Sequence, residues 1–86
     1  MKPRITMNLS AGGELEIWLN AAGRDVLVRE LNALNETNEH FHLFPAGEVD
    51  TSATAYRPTD KLIFSGKVLF RTDEWDREHF PHVMTD

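Results

Sequence analysis

Two runs of alternating residues, joined by Ala11-Gly12-Gly13, restrict this chain more than any other feature of it. From Arg4 to Ser10, Ile5, Met7 and Leu9 fall on one side and Arg4, Thr6, Asn8 and Ser10 on the other, which is the period of a half-buried strand. Glu14 to Leu19 repeats the pattern with Leu15, Ile17 and Leu19. The paired glycines supply the backbone freedom of a tight reversal, so the two runs predict an antiparallel hairpin. Its apolar face has to be covered by a second layer.

That layer comes next. Asn20 is a good N-cap, because its short side chain can accept from the free amides of a first turn. Ala21 to Asn35 then holds Val26, Leu27, Leu31 and Leu34 at helical spacing, predicting a helix of about four turns. His40 to Phe44 alternates and reads as a third strand, stopped by Pro45 and Gly47. Residues 45–60 read as a loop, and Leu62 to Arg71 as a fourth strand in which Gly66 marks a bulge or a close backbone approach. The order predicts an α+β fold, ββαββ: a four-stranded, mainly antiparallel sheet in the order 2-1-3-4, one helix on one face, and the C-terminal tail folded over the sheet. In this arrangement Ile5, Met7, Leu9, Leu15, Ile17, Leu19, Phe41, Leu43, Phe64, Val68 and Phe70 meet the helix. The second face carries Thr6, Asn8, Glu16, Trp18, His40, His42, Ile63 and Leu69, with Trp75 and Phe80 of the tail lying over its aliphatic groups.

A chain of 86 residues has enough material for one core, so residues 1–86 are expected to form one domain. No run approaches the roughly 20 apolar residues that cross a bilayer, and no apolar block of signal-peptide length follows the basic start, so a cytoplasmic protein without a membrane partner is expected. The absence of cysteine removes disulfide scaffolds, thiolate nucleophiles and Cys-type zinc sites. The net charge of −5 opposes direct nucleic-acid binding and suits a partner with a basic surface, although the same acidity also serves solubility alone.

The densest chemistry lies near the end, in Arg71-Thr72-Asp73-Glu74-Trp75-Asp76-Arg77-Glu78-His79-Phe80-Pro81-His82, where carboxylates, basic groups and aromatics crowd together with no visible repeat. Charged groups prefer water and Trp prefers burial, so such a segment either fastens a tail or presents aromatic anchors to a partner. On the first reading Trp75 and Phe80 cap the sheet and Arg77 pairs with a carboxylate; on the second, Trp18, Asp73, Glu74, Trp75, Asp76 and Glu78 contact another protein. His40 and His42 project to one side of a strand, and His79 and His82 are spaced as a chelating pair can be, so a small His-dependent metal- or ligand-binding domain is the alternative function. Exposed or hydrogen-bonded imidazoles are the expectation, with no metal and no cofactor. Ser10, Ser52 and Ser65 lack a nucleophile-elbow context and Gly12-Gly13 lacks the residues of a phosphate loop, so no catalytic residue and no enzyme is expected.

The strand His40-Phe41-His42-Leu43 and the ending Lys67-Val68-Leu69-Phe70-Arg71 through Val83-Met84, together with Leu15-Glu16-Ile17-Trp18-Leu19-Asn20 and Ala22-Gly23-Arg24, resemble the immunity protein 32 family of bacterial polymorphic toxin systems. The resemblance covers most of the chain except residues 45–60 and assigns no site residue. It implies a small cytoplasmic binder that neutralises a cognate toxin, for instance a nuclease, by occlusion and performs no chemistry of its own. An acidic, cysteine-free chain with aromatic anchors among carboxylates fits a blocker of a basic cleft. Self-association into a homodimer through an exposed sheet face or edge is left open by the sequence.

Overall fold

The computed structural model describes residues 2–84. The hairpin forms where the alternation places it, β1 (Ile5–Leu9) against β2 (Leu15–Leu19) with Ile5 opposite Leu19 and Met7 opposite Ile17. Its turn is closed by Ser10 N–H donating to Glu14 O and Gly13 N–H to Ser10 O, both at 2.9 Å, and Gly13 adopts φ +88°, which favours glycine. Helix α1 (Ala21–Asn32) follows at once, and β3 (His40–Phe44) has the predicted bounds.

Asn20 does more than cap the helix. Its Oδ1 accepts from Gly23 N–H (2.8 Å) and from Arg4 N–H (2.9 Å), and its Nδ2 donates to Lys2 O (2.9 Å). One side chain thus starts α1 and ties down the segment that leads into β1. Asn20→Ala is expected to lower stability by about 2 kcal/mol, the upper end of an N-cap deletion, because the strand bonds go with the cap. Urea denaturation checks this, and a loss no larger than a few tenths would show that water replaces the bonds at no cost.

The predicted four-stranded sheet is not what forms. There are two three-stranded sheets, and the fourth predicted strand is divided between them: β5 (Lys61–Leu62) pairs with β1 in the order β2-β1-β5, and β6 (Gly66–Leu69) pairs with β3. The second sheet, β4-β3-β6, includes β4 (Val49–Asp50) from within the predicted loop. β1 therefore neighbours β5 and not β3, which corrects the order 2-1-3-4. Alternation could not reveal the division, because both halves of 62–71 are rich in β-formers. One backbone bond ties the second sheet to β1, Ser52 N–H to Ile5 O at 2.8 Å, and Ile63 N–H to Met7 O, also 2.8 Å, extends the β1–β5 pairing by one step.

One core lies between α1 and the sheets. Ile5, Met7, Phe41, Leu43 and Val49 are buried, with Val26, Leu27, Leu34, Ile63 and Val68 packed around them. Leu9, Leu15, Ile17, Leu19, Leu31, Phe64 and Phe70, all expected inside, are 36–60% exposed; for the β2 residues the reason is that α1 sits over β1 rather than over the middle of a four-stranded sheet. Ile63 takes the inward place expected of Phe64.

The tail does not fold over the sheet either. Residues 73–79 form a second helix, α2 (Asp73–His79), followed by a 3₁₀ turn at Pro81–Val83, and neither has a buried residue. A two-turn helix is too short to display a 3.6-residue repeat, which is why the segment looks patternless. Leu69, which the tail was expected to cover, is 50% exposed, while residues 51–60 cover the polar side of β1, so that strand is buried on both faces: Ile5 and Met7 by the core, Thr6 (2% exposed) and Asn8 (0%) by this loop.

Candidate functional site

The projecting C-terminal arm is built by local rules. Phe70 N–H donates to Glu39 O at 2.7 Å, extending the β3–β6 pairing by one bond, and the Arg71 guanidinium lies 3.2 Å from Glu39 Oε2. Thr72 then caps α2, its Oγ1 accepting from Trp75 N–H at 3.1 Å. Asp73, Glu74 and Asp76 occupy the first turn and Arg77 and His79 the last, an order that complements the helix dipole. Pro81 disfavours helical backbone at Phe80, and α2 ends there.

Aromatic groups gather along the arm. The Trp75 ring is 4.3 Å from His79 and 5.4 Å from Phe80, and the Arg71 guanidinium lies over it at 4.6 Å. Trp75 is half-buried beside Phe70, Glu36 and Glu39, whereas Phe80 is 47% exposed. Asp73, Glu74, Asp76 and Glu78 stand against the one cation Arg77, a net charge of −4 + 1 = −3 on α2 with His79 neutral. Among the described residues none of these five groups is in an ion pair, so the expected pairing of Arg77 with a carboxylate is not made.

Five of the six residues singled out as partner contacts, Asp73, Glu74, Trp75, Asp76 and Glu78, thus come together on one short helix. Trp18 does not join them. It lies on β2 in the other sheet, stacked on Tyr56 of the loop with ring centroids 4.0 Å apart and planes 6° from parallel, and Arg57 is over its ring at 5.2 Å.

This second cluster had no counterpart in the sequence reading. Asn8 Nδ2 donates to Asp60 Oδ2 at 3.0 Å, and Asn8 Oδ1 accepts from Tyr56 N–H at 3.3 Å. Asp60, its side chain 1% exposed, holds Arg57 at 3.1 Å, and Arg57 also bonds Glu16. Desolvation lowers the proton affinity of Arg57, but the hydrogen bond and charge of Asp60 and the charge of Glu16 outweigh it, raising the pKa and keeping the guanidinium charged. Thr6 Oγ1 lies 3.0 Å from Ser52 Oγ and completes the seam. The cluster fastens the loop; its groups are spent on one another. The Arg57–Asp60 spacing was the one sequence signal for it, and that spacing is common by chance.

The histidines stay in two places. His40 and His42 share one side of β3 with rings 5.1 Å apart, and His79 and His82 belong to the arm. Among the described residues no three His, Asp or Glu side chains converge as metal ligands would. An open hollow of about 530 Å³ lies between residues 2–5, Asn20 and residues 50–52, away from the arm. No described helix is long and apolar enough to cross a membrane. Comparison with protein-family models, with curated proteins and with solved structures finds no match to this chain.

Proposed function

We propose that this chain is an immunity protein, a binding module that neutralises a cognate bacterial toxin by covering it, and that the arm at Asp73–His79 makes the contact. The supporting observation is that α2 gathers around Trp75 four carboxylates that have no ion-pair partner among the described residues, next to an exposed Phe80. A helix held mainly by its own cap and aromatic packing contributes little to the core. Its composition suits a desolvated aromatic anchor inside a charged rim. The carboxylates would meet Lys and Arg of the toxin, speeding encounter and fixing orientation. Trp18 is engaged by Tyr56, so the proposed contact set is centred on the arm.

The test is co-expression and co-purification with the product of the adjacent gene. Protection from that product and a stoichiometric complex are expected. Trp75→Ala should weaken the complex at least about 30-fold, the scale of an aromatic hot spot. Glu74→Lys with Glu78→Lys should mainly slow association, by a factor that shrinks as salt is added. A neighbouring gene that encodes no toxin, or a complex indifferent to all three substitutions, defeats the reading.

A further inference from the structure

The outer edge of β2 is open, and its backbone phase can be read from bonds elsewhere. The carbonyls of Ile5 and Met7 accept from Ser52 and Ile63, on the side of β1 away from β2. In an antiparallel strand the N–H and C=O of one residue point to the same side, so the β1–β2 ladder is closed by Thr6 with Trp18 and Asn8 with Glu16. The bond from Ser10 N–H to Glu14 O has the same phase. It follows that Leu15, Ile17 and Leu19 direct their backbone groups outward, where no described strand receives them.

Their side chains are exposed as well, Leu15 at 60%, Ile17 at 50% and Leu19 at 41%. Beside them stands one flank of α1. Val26 and Arg29 border a hollow shared with Glu48 and Val49, so Val28 and Leu31, on the opposite flank by helical geometry and each 49% exposed, lie toward β2. The strand has none of the devices that protect an edge, neither Lys nor Pro, and its one charge, Glu16, is bound to Arg57 on the covered face.

The geometry points to a second copy of this chain as the occupant: two β2 edges pair antiparallel about a twofold axis through Ile17, making one sheet continuous across the dimer. The strand is self-complementary under that operation. Its apolar face reads Leu15-Ile17-Leu19 in either direction, so Ile17 meets the partner's Ile17 and Leu15 meets the partner's Leu19. On the other face Glu16 meets the partner's Trp18, so no like charges oppose each other. The inference is independent of the arm.

Sedimentation velocity and light scattering on the full chain should find a dimer, and Ile17→Lys should raise its dissociation constant at least about 100-fold while leaving the circular dichroism unchanged. The chain has no cysteine, so single introductions report the register. Ile17→Cys should be joined to its partner by a short bifunctional thiol reagent, since hydrogen-bonded partners sit about 5.5 Å apart at Cα. Leu15→Cys should not, because the two copies of that residue lie about 14 Å apart along the strands. A monomer at every concentration up to about 100 µM, a dimer untouched by Ile17→Lys, or equal cross-linking from both cysteines would each overturn the proposal.

Discussion

Gly23→Ala is expected to destabilise this protein by about 2–3 kcal/mol, although the same change inside an ordinary helix gains about 1 kcal/mol. Propensity and packing disagree in sign here, and distance decides between them. A Cβ on Gly23 would stand 2.3 Å from the backbone oxygen of Arg4 and 3.0 Å from its carbonyl carbon, and 3.1 Å from Ile5 Cγ1. A flexible side chain could swing aside; this backbone carbonyl cannot, since Arg4 O also accepts from Asn20 N–H at 3.2 Å. The first turn of α1 would have to lift from β1, straining the Asn20 cap and loosening Val26 and Leu27 from the core. Gly12→Ala is the control, because the nearest atom to its new Cβ is Ser10 Oγ at 3.9 Å. Urea midpoints should separate the two variants widely, and a Gly23→Ala protein as stable as the parent would mean that α1 does not rest on β1 as described.

The second large effect concerns Asn8. Asn8→Ala is expected to cost about 3 kcal/mol, combining an emptied fully buried site with the loss of the acceptor for Tyr56 N–H and of a donor to Asp60. The loop at 51–60 should loosen with it, seen as a red shift of Trp18 emission in a Trp75→Phe background once Tyr56 leaves the indole. Asn8→Asp keeps the shape but sets a second carboxylate against Asp60. Full burial and the nearby Asp60 carboxylate raise the folded-state pKa of the introduced carboxyl above its unfolded value, so the folded state binds more protons. The loss should therefore be largest at neutral pH and should shrink as pH falls through the raised value. An Asn8→Asp protein whose deficit is flat across acidic pH would show that the two side chains do not meet.

The parts of the fold that were legible in the sequence are those whose partners are close along the chain. The hairpin follows from alternation around Ala11-Gly12-Gly13, and α1 from Asn20 and the spacing of Val26, Leu27 and Leu34. β3 follows from His40-Phe41-His42-Leu43-Phe44 before Pro45. The arm was singled out by its composition but not by its shape. Thr72 followed by Asp73, Glu74 and Asp76 is an N-terminal helix signature, yet α2 spans seven residues and periodicity has nothing to measure over so few. The division of residues 61–69 between two sheets left no trace, because pairing with β1 and pairing with β3 demand the same β-forming residues.

Periodicity states that a strand has an apolar side; it does not state how wide the covering layer is. Leu15, Ile17 and Leu19 obey the same alternation as Ile5 and Met7 and remain exposed, since one twelve-residue helix covers one strand well and its neighbour poorly. In the same way Thr6 and Asn8 read as solvent-facing polar positions and are buried, because a loop distant in sequence supplies Ser52, Tyr56 and Asp60 to satisfy them. Local residue order alone determined the hairpin, the helix and its cap, the third strand and the acidic, aromatic character of the ending. Only the tertiary structure decided which apolar and polar groups are hidden, where the chain changes sheets and which edge stays open. Burial and pairing depend on what arrives from elsewhere in the chain, and that choice is made by global packing rather than by any local period.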